Sequence, residues 1–195
     1  MRGTFRKAEF VETPPHPDPL PARGEREREK RRPARKRIHE NVQIDVIVRS
    51  ARWRKRPTAK TIVKRAVLAA AEAVSTPPTE LAIVLSDDSA IRTLNRDWRG
   101  KNTPTNVLSF PAPRPGKNRS APPYIGDIVI AYQTVAREAV AEGKPFNHHL
   151  AHLAVHGFLH LLGYDHENDR DAQTMERLER KILKRLAVPD PYAPT

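Results

Sequence analysis

Six of the eight histidines in this 195-residue chain fall between positions 148 and 166, in the run HHLAHLAVHGFLHLLGYDH. His156 and His160 are four residues apart. On a helix both rings then project from one face, about a turn apart. That is the spacing by which a helix offers two imidazole nitrogens to one zinc ion. Gly163 follows three residues later and can adopt positive φ, ending the helix. The chain can then turn back and deliver His166 as a third ligand. Three protein ligands leave one position open for water or substrate, which distinguishes a catalytic site from a closed structural one.

The resulting pattern, H-x-x-x-H-x-x-G-x-x-H, resembles the ligand spacing of the metzincin peptidases, H-E-x-x-H-x-x-G-x-x-H. It departs from it at one point. The peptidase Glu is Gly157 here, so the carboxylate that activates water in that chemistry is missing. Asp165 or Glu167 could replace it only in an unusual geometry, and a zinc peptidase is therefore a secondary alternative. His152 shares a helix face with His156 and His160. Three ligands on one straight helix would spread too far along its axis, so the expected set is His156, His160 and His166. His152 is then a group that supports a ligand or touches substrate. His148 and His149, near the helix start, are expected at the surface. Asp165 either orients a ligand imidazole or accepts backbone N–H groups, and Tyr164 reads as packing.

The elements that must carry these groups can be read from periodicity. Residues 42–48 (VQIDVIV), 80–86, 105–111 and 125–132 read as strands, rich in β-branched residues. Residues 58–75 read as an amphipathic helix with Ile62, Val63, Ala66, Ala70 and Val74 on one face, stopped by Pro77–Pro78. A second helix starts at Ser86 or Asp87, with Ile91, Leu94 and Trp98 as its apolar face. Helices are expected next over QTVAREAVAEG, ended by Gly143, and from about Asn147 to Leu162. A last helix over about 169–187 places Met175, Leu178, Ile182 and Leu186 on one face, with acids early and bases late. Gly126 marks a bulge or a close backbone approach. Residues 111–123 read as a proline-rich loop. The sum is an α+β fold, a small four-stranded mixed sheet packed with about five helices.

Composition sets the partners. Lys and Arg total 35 against 23 Asp and Glu, a net charge of +12. Residues 1–40 hold 12 Lys and Arg, 7 acids and 6 prolines, too little apolar surface to offset ordering entropy. They read as a disordered basic, proline-rich tail. Residues 41–188 read as the folded domain and 189–195 as a short C-terminal tail. The chain beyond residue 40 keeps 23 basic and 16 acidic side chains, about +7. With no cysteine, a disulfide scaffold, a cysteine-ligated metal site and a cysteine nucleophile are excluded. No apolar run is long enough for a membrane span, and the expectation is a cytoplasmic protein. Arg92, Arg96 and Arg99 recur opposite the apolar face of their helix. Residues 49–65 hold eight Lys and Arg and no acid, with Trp53 among them. Basic groups neutralise phosphates and an aromatic ring stacks on an unpaired base, so Arg52, Trp53, Arg54, Arg92, Arg96 and Lys101 are RNA-binding candidates. Asn106 and Ser109 are hydrogen-bonding candidates on a strand that could line the cleft.

The segment HGFLHLLGYDH, with LNRDWRGKNTPTNVLSFP at 94–111 and GDIVI at 126–130, resembles the YbeY family of metal-dependent endoribonucleases over about residues 44–187. The resemblance implies a zincin-like α+β fold, with His156, His160 and His166 as ligands of one Zn²⁺ and Arg99 as the functional arginine. It also implies action on single-stranded RNA in 3′-end maturation of small-subunit (16S) rRNA, ribosome quality control, and contacts with the small ribosomal subunit and its proteins. The alternative within this reading is a metal-binding ribosome-assembly factor without catalysis.

Overall fold

The computed structural model describes residues 41–113, 122–166 and 168–193. The tail expected over residues 1–40, most of the loop at 111–123, and Glu167 lie outside the described residues. Four strands and five α-helices make up the described chain, interleaved at first and then closing with three helices in succession. They are β1 (Val42–Val48), α1 (Ala59–Ala73), β2 (Thr79–Ser86), α2 (Asp88–Arg99), β3 (Val107–Pro111), β4 (Tyr124–Ala131), α3 (Tyr132–Ala141), α4 (Phe146–Leu161) and α5 (Asp169–Arg185). A 3₁₀ turn at Ala51–Lys55 links β1 to α1. The fold is α+β, as the periodicity predicts.

The sheet order is β1-β2-β4-β3. β1 runs parallel to β2 and β2 to β4, while β3 is antiparallel to β4 and forms one edge. Central strands covered on both faces read as continuous apolar runs, and β2 (TELAIVLS) is one of them. Its alternate residues feed two cores. Leu81, Ile83 and Leu85 join Ile128 and Ile130 under α1, α4 and α5. On the opposite face Val84, Leu94 and Phe110 pack around Ile91, Leu108, Val129 and Ala131, which is the seat of α2. The register shifts at Glu80/Leu81, opposite Tyr124 and Gly126. Gly126 there has φ +136, and a Cβ would collide with the Phe110 carbonyl. This is the close approach expected of that glycine.

Helix α4 is apolar nearly all round, as a helix inside a core must be. Its partly exposed residues from His148 onward form one stripe, His148, His152, His156 and His160, each four residues after the last. The remaining positions to Leu161 are buried. From His148 onward the helix therefore presents imidazoles wherever it meets solvent. Helix α5 crosses beside it, capped by Asn168, whose side chain accepts the Asp171 N–H at 3.0 Å. Among the described residues no helix is long and apolar enough to cross a membrane.

Two tryptophans exchange the places assigned to them from sequence. Trp53, expected as an exposed base-stacking group, is 3% exposed. Its indole N–H donates to the Ser86 carbonyl at 2.7 Å, and Tyr132 and Phe146 meet it edge-on. The 3₁₀ turn folds it inward while Arg52 and Arg54 stay outside. Trp98, expected on the apolar face of α2, is 73% exposed. At the last turn of α2 it touches only the edge of the small core, with its ring edge-on to Phe110 at 5.6 Å.

Candidate metal centre and its cleft

Helix α4 ends one residue after His160, with Leu162 as its C-cap, and Gly163 at φ +91 reverses the chain. The Tyr164 N–H donates back to the Leu159 carbonyl at 3.1 Å, which pins the turn. His166 thereby returns to the helix, its ring centroid 5.5 Å from that of His156 and 5.1 Å from that of His160. One nitrogen from each of the three rings lies within 4.8 Å of the others. The Nε2 atoms of His156 and His160 are 3.1 Å apart. Two ligands on a tetrahedral zinc with Zn–N bonds of about 2.0–2.1 Å stand roughly 3.3 Å apart, so the spacing fits a shared ion. Burial first, then the adjoining His156 and His166 rings, push the His160 pKa below its ordinary value. The shift favours the neutral ring, the form that lends a lone pair to a metal.

A second group of possible ligand atoms, His152, His156 and Glu179, adjoins the first. Glu179 lies on α5, is fully buried, and was not singled out from the sequence. The signal was there: it falls between Met175 and Ile182 at spacings of four and three, inside the buried stripe of α5. Its carboxylate accepts from His156 Nδ1 at 2.8 Å and from His152 Nε2 at 3.0 Å. Burial alone would raise its pKa, but these two hydrogen bonds and the charge of the rings bring it down to about 2. The Tyr192 hydroxyl donates to the same carboxylate. Burial and that bond push the tyrosine pKa up, so it stays a donor. The two histidine contacts have hydrogen-bond lengths, and the enclosed carboxylate offers no open side to a substrate. Residues 189–193 of the segment expected as a C-terminal tail thus pack against the domain, and the Pro191 carbonyl accepts from Lys144 Nζ at 2.8 Å.

The three-histidine group opens into a cleft of about 840 Å³. Arg99, Lys101, Thr105 and Asn106 also line it, with Val107 and Ser109 of β3. Arg99 ends α2, and buried Asn95 donates to the Thr103 carbonyl at 2.8 Å, folding the following loop back toward the cleft. Asn106 is held twice. Its Oδ1 accepts the Val107 N–H at 2.6 Å and its Nδ2 donates to Glu138 at 2.9 Å. Glu138 in turn bonds His149 at 2.8 Å. His149, expected at the surface, is 5% exposed, because it sits on the side of α4 that faces α3 rather than on the histidine stripe. The Ser109 hydroxyl donates to the Gly157 carbonyl at 3.0 Å and ties β3 to α4. Asp165 accepts its neighbour's backbone, the His166 N–H, at 2.7 Å.

The basic candidates divide. Arg99 and Lys101 line the cleft; Arg92 and Arg96 do not, and they bond Asn102 and Asp97. Arg52 and Arg54 lie on the 3₁₀ turn, outside the cleft lining. Trp98, which sequence reading gave to the core, borders a second, mostly apolar cleft with Phe110, and the two clefts share Ser109 and Pro111 as their common wall. The missing peptidase carboxylate also has a physical reason. A Cβ at Gly157 would stand 2.9 Å from Ile128 Cγ2 and 3.2 Å from Ser109 Oγ. Position 157 faces the sheet, and a side chain there must displace Ile128 and Ser109.

Known proteins resemble this chain over most of its length. The family model described as Endoribonuclease YbeY matches residues 44–187. An Endoribonuclease YbeY of Bradyrhizobium diazoefficiens is 55% identical over 161 residues, 80% of this chain and 88% of that protein. One from Nitrobacter hamburgensis is 57% identical over 155 residues, 77% of this chain and 82% of that protein. The solution structure of TM1509 from Thermotoga maritima superposes with a TM-score of 0.50 at 20% identity, covering 78% of this chain and all of that one.

Proposed function

The chain belongs to the YbeY endoribonuclease family, and on that premise we propose that it is a zinc-dependent endoribonuclease acting on single-stranded RNA. His156, His160 and His166 are the metal ligands in this reading and Arg99 is the catalytic arginine. The observation that carries it is the shape of the cleft. Three imidazoles, Arg99 and Lys101 line one cleft, and among the described residues its only acidic lining is Asp165, which accepts a backbone N–H. Such a cleft suits a phosphodiester.

A zinc ion bound there would supply a polarised phosphoryl oxygen, a water of lowered pKa, or both. The chain supplies the rest. Arg99 presents a planar, permanently charged fork to the non-bridging phosphate oxygens and stabilises the charge that builds on them. Lys101 adds a point charge beside it. Asn106, with Oδ1 committed to Val107 N–H, keeps an amide hydrogen for the substrate. Ser109 keeps β3 against α4, so the wall does not drift from the histidines. Exposed Trp98, next to Arg99, offers a stacking surface for an unpaired base leaving the cleft, the role that buried Trp53 cannot take.

Within the family this reading extends to 3′-end maturation of small-subunit (16S) rRNA and ribosome quality control in the cytoplasm, on a substrate presented by the small ribosomal subunit and its proteins. The domain that does this is residues 41–188, with the basic stretch before it as a tail. The test is cleavage of a labelled single-stranded RNA and of its duplex by the full chain. The single strand should be cut, the duplex spared, EDTA should stop the reaction and zinc restore it. Cleavage of casein but not of RNA would overturn the reading in favour of a peptidase. Zinc binding and rRNA binding without cleavage would overturn it in favour of an assembly factor.

A further inference from the structure

The most confined polar group among the described residues lies behind the metal cleft. Glu179 is fully buried, yet it carries three donors: His156 Nδ1, His152 Nε2 and the Tyr192 hydroxyl. An ionised carboxylate only accepts hydrogen bonds. In the neutral form that a metal ligand takes, the proton of His156 then sits on Nδ1. Its Nε2 is left with a free lone pair, and that atom is the one 3.1 Å from His160 Nε2. One contact settles both the tautomer and the direction of the ring.

Tyr192 belongs to a stretch beyond the family-matched residues 44–187. That stretch is fastened at several points. Lys144 holds the Pro191 carbonyl, the Tyr192 N–H donates to Asp190 at 3.0 Å, and the Arg180 guanidinium lies 4.9 Å over the Tyr192 ring. The His152 ring meets the same tyrosine edge-on at 5.6 Å. The segment thus ends as a clasp whose hydroxyl closes the last open side of Glu179.

We propose that Glu179 is a positioning residue for the metal ligand His156, and that Tyr192 holds Glu179 in place, so that the C-terminal segment is part of the metal site. This rests on the reading of His156 as a ligand. Carboxylates behind a ligating histidine orient it and raise its basicity, and their loss weakens metal binding by about 10–100-fold. No other group reaches His156 Nδ1 among the described hydrogen bonds, so nothing would replace the carboxylate.

The experiment uses the full chain as wild type, Glu179→Gln and Tyr192→Phe. Zinc affinity is measured by competition with a chromogenic chelator, and the tautomer of His156 by imidazole ¹⁵N shifts in the metal-free protein. Glu179→Gln should bind zinc about 10–100-fold more weakly, and Tyr192→Phe should fall at the low end of that range. The His156 nitrogen shifts should move away from the pure Nδ1–H pattern in both. Tyr192 is 38% exposed and loses one oxygen, so this variant decides the matter if Glu179→Gln fails to fold. Folded variants with wild-type zinc affinity and unchanged shifts would overturn the proposal. So would a lowered melting temperature with unchanged affinity, which marks a merely structural carboxylate. A wild-type chain that takes up no zinc would instead sink the ligand assignment, and the proposal with it.

Discussion

Replacing Gly157 by alanine sets two opposing terms against each other at a position where both can be sized. Glycine inside a helix costs about 1 kcal/mol relative to alanine, so propensity alone makes Gly157→Ala stabilising. Packing has the other sign. The new methyl group would stand 2.9 Å from Ile128 Cγ2, 3.4 Å from Ile128 Cδ1 and 3.2 Å from Ser109 Oγ. Ile128 is β-branched, fully buried and in the middle of β4. It has one preferred rotamer and nowhere to swing. Ser109 can retreat only by giving up its bond to the Gly157 carbonyl. Forcing an extra carbon into such a site costs about 1–3 kcal/mol. The balance is a net loss of about 1 kcal/mol. Urea unfolding of the metal-free chain, with chelator in every sample so that bound ion contributes nothing, reads the difference as a lower midpoint at unchanged slope. A Gly157→Ala variant with a raised midpoint would refute the packing argument. With it would go the explanation of why this chain lacks the peptidase glutamate. Gly157→Glu should lose considerably more stability and gain no hydrolysis of casein.

Other outcomes follow from the same geometry. Trp53→Phe should cost about 1–3 kcal/mol, because the buried Ser86 carbonyl loses its indole partner, while RNA affinity is unchanged once folding is accounted for. Trp98→Ala should shift stability by less than about 0.5 kcal/mol and weaken binding of a single-stranded oligonucleotide by about 1–3 kcal/mol, read by fluorescence anisotropy with chelator present. Burial would raise the Glu138 pKa, but hydrogen bonds from His149 and Asn106 outweigh it, and the folded value lies below the ordinary 4.5. Its contribution to stability is therefore complete above that pH and is lost as pH falls through the lowered value. Melting temperatures measured from pH 7 down to pH 3 should fall more steeply for wild type than for Glu138→Gln.

Much of the fold was legible because each element carries its own period. Strand β2 is continuously apolar, α1 repeats its apolar residues at helical spacing, and α2 and α5 have side-chain caps at Asp87 and Asn168. The convergence of His156, His160 and His166 was legible too, since helix geometry and one glycine turn are local. What sequence reading missed is tertiary. Trp53 and Trp98 both sit among charged residues near the end of a short element, and only the folded chain decides which one faces a core. His149 and His152 are three residues apart, yet one turns to Glu138 and the other to Glu179. Neither glutamate is near its histidine in sequence. The clasp at Tyr192 follows a stretch of prolines and small residues that gives no periodic signal at all.

The central claim is a metal centre that cuts RNA with the help of Arg99, and one preparation can test all of it. Bound metal and cleavage of a single-stranded RNA would be measured together on the full chain, as wild type and as Arg99→Ala, with and without chelator. The account predicts about one zinc per chain in both proteins, cleavage by wild type alone, and no cleavage once the metal is removed. An Arg99→Ala protein that cuts at the wild-type rate, or a metal-stripped wild type that still cuts, would contradict it.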